Sequence, residues 1–295
     1  MLSPVIEIVD SRLNEVRLWI KRDDMIHPEI SGNKWRKLKY NLIYARERNI
    51  STLITKGGSF SNHIYAIAAA GKEFGFSTIG IIRGESTSNP TLQFAAQCGM
   101  KFIFVDRSTF RLIDASFDFS TLGILNKDFY FLPEGGTNSL AIQGTAELAE
   151  ESISQLGFIP DYYCLSAGTG GTAAGLIIGL KEKSQVQVFS ALKGDFLHED
   201  IQKLIQHPAD NWVLENQYHF GGYAKYNLEL IDFINQFKEL HDIPLDPIYT
   251  GKMMYGIFDK IQKGHFPPGS KILAIHTGGL QGNKGFNFMH GSLLI

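Results

Sequence analysis

The stretch that decides the fold reads DYYCLSAGTGGTAAGLIIGL and covers residues 161–180. An apolar run, a turn of small residues and a second apolar run follow one another, which predicts a buried strand, a tight turn and a helix. The turn contains three glycines and two threonines: Gly168, Thr169, Gly170, Gly171 and Thr172. The glycines let backbone N–H groups converge, the threonines add hydroxyl donors, and the helix N-terminus carries partial positive charge. This turn is therefore predicted to bind an anion such as a phosphate, in preference to serving as a plain turn.

The residues around this turn indicate which class of phosphorylated ligand it would bind. A nucleotide-hydrolysing loop would place Lys and then Ser or Thr after the glycines, but Thr172 and Ala173 follow Gly171. A dinucleotide site would place an acidic residue at the end of the next predicted strand, and residues 186–190 end in Ser190. A small phosphorylated cofactor without a bound ribose fits better than either.

Strand-like and helix-like segments alternate from residue 50 onward, which predicts an α/β protein with mainly parallel sheets. The predicted strands cover residues 16–20, 52–55, 78–82, 102–105, 129–132, 162–165, 186–190 and 272–275. The predicted helices cover residues 35–47, 62–74, 91–97, 139–156, 172–183, 227–240 and 253–263. Two polar stretches, 107–127 and 195–211, are expected to be irregular surface segments.

The composition excludes several classes of protein. The 295 residues are 44% hydrophobic and 20% charged, and 28 Lys and Arg against 30 Asp and Glu give a net charge of −2. Neither disorder nor a generally basic nucleic-acid surface is indicated. No apolar run is long enough for a membrane helix and no signal peptide is recognisable, so we expect no membrane association and a cytoplasmic location. Cys98 and Cys164 are far apart and predict neither a disulfide framework nor a zinc site, and no metal is expected.

A second polar cluster, KGGSFSNH at residues 56–63, lies between a predicted strand and a predicted helix. Capping the helix would need only one of Ser61 and Asn62. Because ligands bind beyond the carboxyl ends of parallel strands, we expect this cluster to contribute to a site.

A third cluster, SGNK at residues 31–34, precedes the predicted helix 35–47. Lys34 would face the positive end of the helix dipole, which favours its neutral amine, and a neutral amine is what reaction with a carbonyl cofactor requires. The same chemistry is open to Lys37 and Lys56, and the pattern does not choose among the three.

Seven segments occur in an order that resembles fold type II pyridoxal phosphate enzymes, within the group of 1-aminocyclopropane-1-carboxylate (ACC) deaminase and D-cysteine desulfhydrase. They are KRDD (21–24), SGNKWRKL (31–38), GGSFSNH (57–63), PEGG (133–136), SAGTGGT (166–172), PIYTGK (247–252) and HTGG (276–279). The resemblance implies two open, mainly parallel sheets flanked by helices, with the cofactor between the domains. It implies a small domain at residues 45–135 and a large cofactor-binding domain at 1–44 plus 136–295.

The resemblance also implies roles for individual residues. Lys34 would form the internal aldimine with pyridoxal 5'-phosphate (PLP), and residues 168–172 would bind the phosphate. Asn62 would contact the ring hydroxyl, and Ser61 would either contact the substrate carboxylate or act on the substrate as a catalytic residue. Thr277 would line the cofactor site. Tyr223 and Tyr249 would face the substrate, with Tyr226 as a rival for Tyr223 because GGYAKY matches the family's motif poorly.

One departure bears on the substrate. ACC deaminases carry Glu directly after the tyrosine of the YxGK motif, where it meets the pyridine nitrogen, whereas this chain has Thr250, as the desulfhydrase-like members do. A hydroxyl is expected to leave that nitrogen largely neutral, which suffices for β-elimination but makes opening of a cyclopropane doubtful.

These observations predict a PLP-dependent carbon–sulfur lyase or deaminase acting on a small amino acid. D-cysteine is the expected substrate, with pyruvate, ammonia and sulfide as products. The alternatives are an ACC deaminase, a serine or threonine dehydratase and a catalytically silent PLP-binding protein. The base that removes the Cα proton is left open among Lys34, Tyr223 and Tyr249. A homodimer is expected from the family resemblance.

Overall fold

The computed structural model describes residues 2–126 and 128–295, and it contains two sheets flanked by helices. The strands are β1 Val5–Ile8, β2 Arg17–Lys21, β3 Thr52–Gly58, β4 Ser77–Arg83, β5 Lys101–Val105, β6 Phe129–Leu132, β7 Tyr162–Ala167, β8 Gln185–Ser190, β9 Trp212–Glu215 and β10 Lys271–Ile275. The helices are α1 Asn33–Glu47, α2 Asn62–Phe74, α3 Pro90–Gln97, α4 Arg107–Leu112, α5 Ser139–Leu156, α6 Gly171–Leu180, α7 Phe196–Ile205, α8 Leu228–His241, α9 Thr250–Gln262 and α10 Gln281–His290.

The larger sheet has the strand order β1-β2-β10-β7-β8-β9, and only β1 runs antiparallel to its neighbour. The smaller sheet has the order β5-β4-β3-β6 and is entirely parallel. Helices cover both faces of each sheet, so inner strands such as β7 and β10 are buried nearly throughout. The predicted α/β class with two open, mainly parallel sheets is confirmed.

The smaller sheet is built from residues 52–132, whereas both ends of the chain build the larger sheet. The domain limits at 44/45 and 135/136 stay a prediction, although they fall outside the strands of the smaller sheet. Within residues 2–126 and 128–295, no helix has the length and apolar character needed to cross a membrane.

Two polar stretches contain helices that the sequence reading did not predict. Residues 195–211 were expected to be irregular, yet α7 buries Leu197, Ile201 and Ile205 along one face while its charged residues point to solvent. This spacing of four residues is the signal that the polar composition obscured. In 107–127, α4 buries Phe110, and Lys127 lies outside the described residues.

Three further elements were missed because their sequence patterns are short or interrupted. Strands β1 and β9 are four-residue edge strands, and pairing with β2 and β8 stabilises them. Helix α10 contains two glycines and has a buried side formed by Gly285 and Phe286. Neighbouring elements therefore stabilise these segments where local propensity is weak.

Candidate active site

A cavity of about 550 Å³ lies where the carboxyl ends of strands from both sheets meet. All the predicted site residues except Thr250 line it: Lys34, Ser61, Asn62, Gly168, Thr169, Gly170, Gly171, Thr172, Tyr223, Tyr249 and Thr277. The structure therefore brings together residues from six separate parts of the sequence.

The turn after β7 forms one wall of this cavity. Helix α6 begins at Gly171, and no side chain caps its first N–H groups, which leaves them free to bind a ligand. Gly170 adopts a φ of +74°, which favours glycine. A Cβ on Gly171 would lie 2.7 Å from Thr137 Oγ1 and 3.2 Å from Lys37 Nζ. Polar atoms thus surround a space that any side chain at 171 would partly fill.

Lys37 places a buried amine beside this turn. Its Nζ donates to Gly135 O and Thr137 Oγ1, both at 3.0 Å, and to Thr169 Oγ1 at 3.4 Å. Burial, reinforced by the neighbouring Lys34, holds the pKa of Lys37 well below its usual range. An anion bound at the glycine turn would stabilise the charged, ammonium form of Lys37. Sequence reasoning treated Lys37 only as a rival of Lys34, although a separation of three helical residues places both on one face.

Lys34 has a different environment from the other two candidate lysines. Its amine lines the cavity and has no hydrogen-bond or ion-pair partner among the described residues. Burial lowers the pKa of Lys34 to about 8. By contrast, Lys56 Nζ donates to the backbone oxygens of Phe110 and Ile113, at 2.9 and 2.5 Å. Of the three lysines, Lys34 is the one whose amine has no partner within residues 2–126 and 128–295, which favours it over Lys37 and Lys56.

The N-terminus of α2 presents two polar side chains to the cavity. Ser61 Oγ accepts from His63 N at 3.2 Å and from Ile64 N at 3.4 Å, so Ser61 does cap the helix. Its hydroxyl proton remains available for donation. The Asn62 side chain has no hydrogen-bond partner among the described residues, and its Nδ2 lies 2.9 Å from where a Cβ of Gly279 would be. The absence of a side chain at 279 thus leaves room for the Asn62 amide.

Two tyrosines form the opposite wall. Tyr249 packs so closely on the glycine turn that a Cβ on Gly168 would lie 3.1 Å from its ring. Tyr223 meets Tyr249 in a T-shaped contact, with ring centroids 6.2 Å apart. Tyr226 instead packs on Phe286 and does not line the cavity. Of the two rivals, Tyr223 is the one at the cavity.

Thr250 lies behind the cavity wall. It is fully buried at the start of α9, where its Oγ1 donates to Asp246 Oδ2 at 2.6 Å and accepts from Asp246 N at 2.9 Å. Because a hydroxyl has a single proton, Thr250 has none left for a ligand. Thr250 is therefore not among the residues that line the cavity, although it was expected to contact the cofactor there. Sequence reasoning did not single out Asp246.

The SGNK segment (31–34) and the HTGG segment (276–279) pack directly on each other. Gly32 has a φ of +65°, and a Cβ there would lie 1.9 Å from Thr277 O, so no other residue fits this position. Asn33 donates from its backbone to Thr277 O at 3.0 Å and from Nδ2 to Thr172 Oγ1 at 2.9 Å. This contact fixes the start of α1, and with it Lys34, against the glycine turn.

The model of the family "Pyridoxal-phosphate dependent enzyme" matches residues 3–278. The chain belongs to this family. The resemblance stated from the motifs is thereby confirmed, as is the assignment of the chain as a PLP-dependent enzyme.

Three similar proteins connect this PLP-dependent enzyme to one group within the family. A protein of Arabidopsis thaliana named as a mitochondrial bifunctional D-cysteine desulfhydrase/ACC deaminase is 32% identical over 91% of this chain and 74% of its own length. A putative ACC deaminase of Pyrococcus horikoshii is 30% identical over 94% of this chain and 88% of its own. A crystal structure titled as an ACC deaminase homologue has a TM-score of 0.82 and 27% identity, covering 100% of this chain and 94% of its own.

The residues of the PLP-dependent enzyme fit the cofactor. The uncapped start of α6 and Lys37 offer a cradle for the phosphate, and the unpartnered Lys34 amine is available to its aldehyde. The Asn62 amide, which has no partner among the described residues, adds a polar group at the N-terminus of α2. Arg83 and Glu134 also line the cavity; Glu134 belongs to the PEGG motif, although the sequence suggested no role for its side chain, and Arg83 lies in none of the motifs.

Proposed function

We propose that this enzyme is a D-cysteine desulfhydrase, which converts D-cysteine and water into pyruvate, ammonia and hydrogen sulfide. The proposal depends most on the Lys34 amine, unpartnered and with a pKa lowered to about 8, in a cavity between an anion cradle and two tyrosines. The Arabidopsis relative named for both activities supports this substrate class. The resemblance adds support through Thr250, since desulfhydrase-like members carry Thr at that position.

The cofactor and the chain have separate tasks. PLP, when bound, withdraws electrons from the substrate Cα, which is chemistry that no side chain supplies. The amides at the start of α6 and the Lys37 ammonium would bind its phosphate. Lys34 would bind its aldehyde, because an amine with a pKa near 8 is neutral in a useful fraction of molecules near pH 7.

The pKa values of Lys34 and Tyr249 indicate which of the two groups accepts the Cα proton of the substrate. A base works best when its pKa lies near the operating pH, so the Lys34 amine is the group that accepts the Cα proton. Burial, followed by the neighbouring Tyr223, raises the pKa of Tyr249 well above its usual value. Tyr249 therefore keeps its proton near neutral pH and does not serve as the base, while its hydroxyl can donate a hydrogen bond in the site.

The substrate carboxylate is assigned to the N-terminus of α2. The Ser61 hydroxyl proton and the Asn62 amide are donors without an acceptor in the part of the chain that the structure describes, and the partial positive charge of the helix end adds to them. Lys34 lines the same cavity as these two donors. Ser61→Ala is expected to raise KM more than it lowers kcat.

The test is a substrate panel with purified holoenzyme. Pyruvate, 2-ketobutyrate and sulfide are measured with D-cysteine, D-serine, β-chloro-D-alanine, ACC and the L-enantiomers, with Lys34→Ala as the inactive control. Pyruvate and sulfide from D-cysteine are expected. Turnover of L-serine or L-threonine alone would indicate a dehydratase, and bound cofactor without any turnover would indicate a PLP-binding protein.

A second candidate, ACC deaminase, is favoured by one observation at Thr250. Its hydroxyl is hydrogen-bonded to the buried Asp246 carboxylate, so a negative charge lies directly beside the position at which ACC deaminases carry Glu. Release of 2-ketobutyrate from ACC, with no pyruvate from D-cysteine, would establish this alternative. The proposal includes a cytoplasmic homodimer, which sedimentation of the holoenzyme and cell fractionation would test.

A further inference from the structure

Lys252 is a buried lysine of α9 whose amine binds a loop and no carboxylate. It is 2% exposed, and its Nζ donates to His219 O and Gly222 O, both at 2.8 Å. No ion pair joins it to an acidic residue in the part of the chain that the structure describes. A buried cation without a counter-ion is unfavourable unless it is hydrogen-bonded. The two carbonyls therefore account for its position.

The loop at residues 216–227 carries Tyr223, directly after Gly222, to the cavity. Phe220 and Ala224 adopt positive φ values of 52° and 56°, which are unfavourable for residues with a Cβ. The loop makes a few bonds of its own, such as Gly222 N to His219 O at 3.0 Å. A strained loop of this kind keeps its shape only when the surroundings stabilise it.

The N-terminus of α9 is a rigid support for that loop. The Asp246 carboxylate accepts from the backbone N–H groups of Ile248, Tyr249 and Thr250, at 2.9, 2.7 and 2.9 Å. Tyr249 is thus fixed where the helix begins. Lys252 follows three residues later on the same helix, so its bonds connect the support of Tyr249 to the loop of Tyr223.

We propose that Lys252 is a positioning residue that holds Tyr223 against Tyr249 at the substrate side of the cavity. The two rings meet at 6.2 Å with an interplanar angle of 65°, and a shift of the loop would separate them. Phe220 also packs on Tyr255 of α9, at 5.1 Å. Loss of Lys252 would therefore loosen the loop without detaching it. The proposal rests on the proposed function only in assuming that the tyrosines contact substrate.

The first test measures the loop directly, without substrate. Lys252→Met holoenzyme is treated with trypsin, and cleavage after the exposed Lys225 is followed by mass spectrometry. Loosening predicts cleavage about tenfold faster than in wild type, because proteolysis follows local opening. The matched control is Lys260→Met, since Lys260 is another buried lysine of α9 but pairs with Glu215. Equal cleavage in wild type and Lys252→Met would overturn the proposal.

The second test is a double-mutant cycle between positions 252 and 223. Lys252→Met and Tyr223→Phe are expected to lower kcat/KM by similar factors. The double variant should lose no more than either single variant, because Lys252→Met misplaces the same hydroxyl that Tyr223→Phe removes. Losses that multiply would show that Lys252 acts independently of Tyr223 and would overturn the proposal.

The two proposals fail in different ways. If D-cysteine is not the substrate, wild type shows no sulfide release, yet the contrast in trypsin cleavage between Lys252→Met and Lys260→Met remains. The cycle is then run with whichever substrate the panel identifies. If Lys252 is merely a structural lysine, wild type turns over D-cysteine and both lysine variants are cleaved after Lys225 at the same rate.

Discussion

Lys34 and Lys37 lie one helical turn apart on α1, yet of these two amines only that of Lys37 has hydrogen-bond acceptors among the described residues. The Lys37 amine contacts three oxygens around the glycine turn, whereas the Lys34 amine contacts none. Under the proposed function, the pair would divide the two requirements of a phosphorylated aldehyde, namely a cation for the phosphate and a nucleophile for the carbonyl. This division is the basis of the first three predictions.

Borohydride treatment of the holoenzyme is expected to attach the cofactor permanently to Lys34. The physical reason is that Lys34 alone among the three candidates has a free amine with a pKa near neutrality. Peptide mapping by mass spectrometry locates the label, and Lys34→Ala should lose the label together with turnover. A label on Lys37 or Lys56 would contradict the assignment.

The stability of the cofactor-free enzyme should depend on pH through Lys34. Its pKa is lowered from 10.5 to about 8 in the folded state, so between these values the unfolded chain binds more protons and stability rises with pH. Relative to Lys34→Met, wild type should gain up to about 1.4 kcal/mol per pH unit in this window and nothing below it. Urea unfolding at several pH values measures the difference, and a difference independent of pH would argue against a lowered pKa.

Lys37→Met should weaken cofactor binding by about tenfold to a hundredfold, because a charge-assisted hydrogen bond contributes roughly 1.5 to 3 kcal/mol. Fluorescence titration with PLP measures the affinity. The control is Lys39→Met, since Lys39 lies on the same helix but pairs with Glu147 at the surface. If both variants bind PLP like wild type, Lys37 does not contact the phosphate.

Two glycines with nearly the same φ should respond differently to alanine. Gly170 at +74° would place a Cβ 2.6 Å from Ile201, whereas Gly157 at +73° has open space around it. Gly157→Ala should cost about 1 kcal/mol of strain, and Gly170→Ala about 1 to 3 kcal/mol more from overpacking. Gly170→Ala alone should also weaken PLP binding. Similar losses of unfolding free energy and of affinity in both variants would refute this packing argument.

Thr250→Val should destabilise the enzyme by about 1 to 3 kcal/mol, because the isosteric side chain leaves the Asp246 N–H unpaired and removes one hydrogen bond to the Asp246 carboxylate. Thr250→Ser retains the hydroxyl and should cost well under half as much. Thermal or denaturant unfolding of both variants provides the comparison. Equal stability of the Val and Ser variants would mean that the hydroxyl does not support the start of α9.

Most of the parallel architecture was predictable, because its signals are local. Helices α2 and α5 and strand β6 have the predicted bounds, since apolar periodicity and end residues such as Ser61 and Asn138 mark them in the sequence. The missed strands β1 and β9 depend on pairing with distant segments, which periodicity does not report, whereas the apolar spacing of α7 was present but obscured by its polar composition.

By itself, the sequence determined the α/β class, the anion-binding turn and the set of glycine clusters, because backbone freedom, hydroxyl donors and helix ends are properties of neighbouring residues. Only the tertiary structure decided which lysine is free, which of Tyr223 and Tyr226 reaches the cavity, and that Thr250 is bound to Asp246. The reason is physical: a side chain's pKa and its available protons depend on burial and on partners that lie far away along the chain.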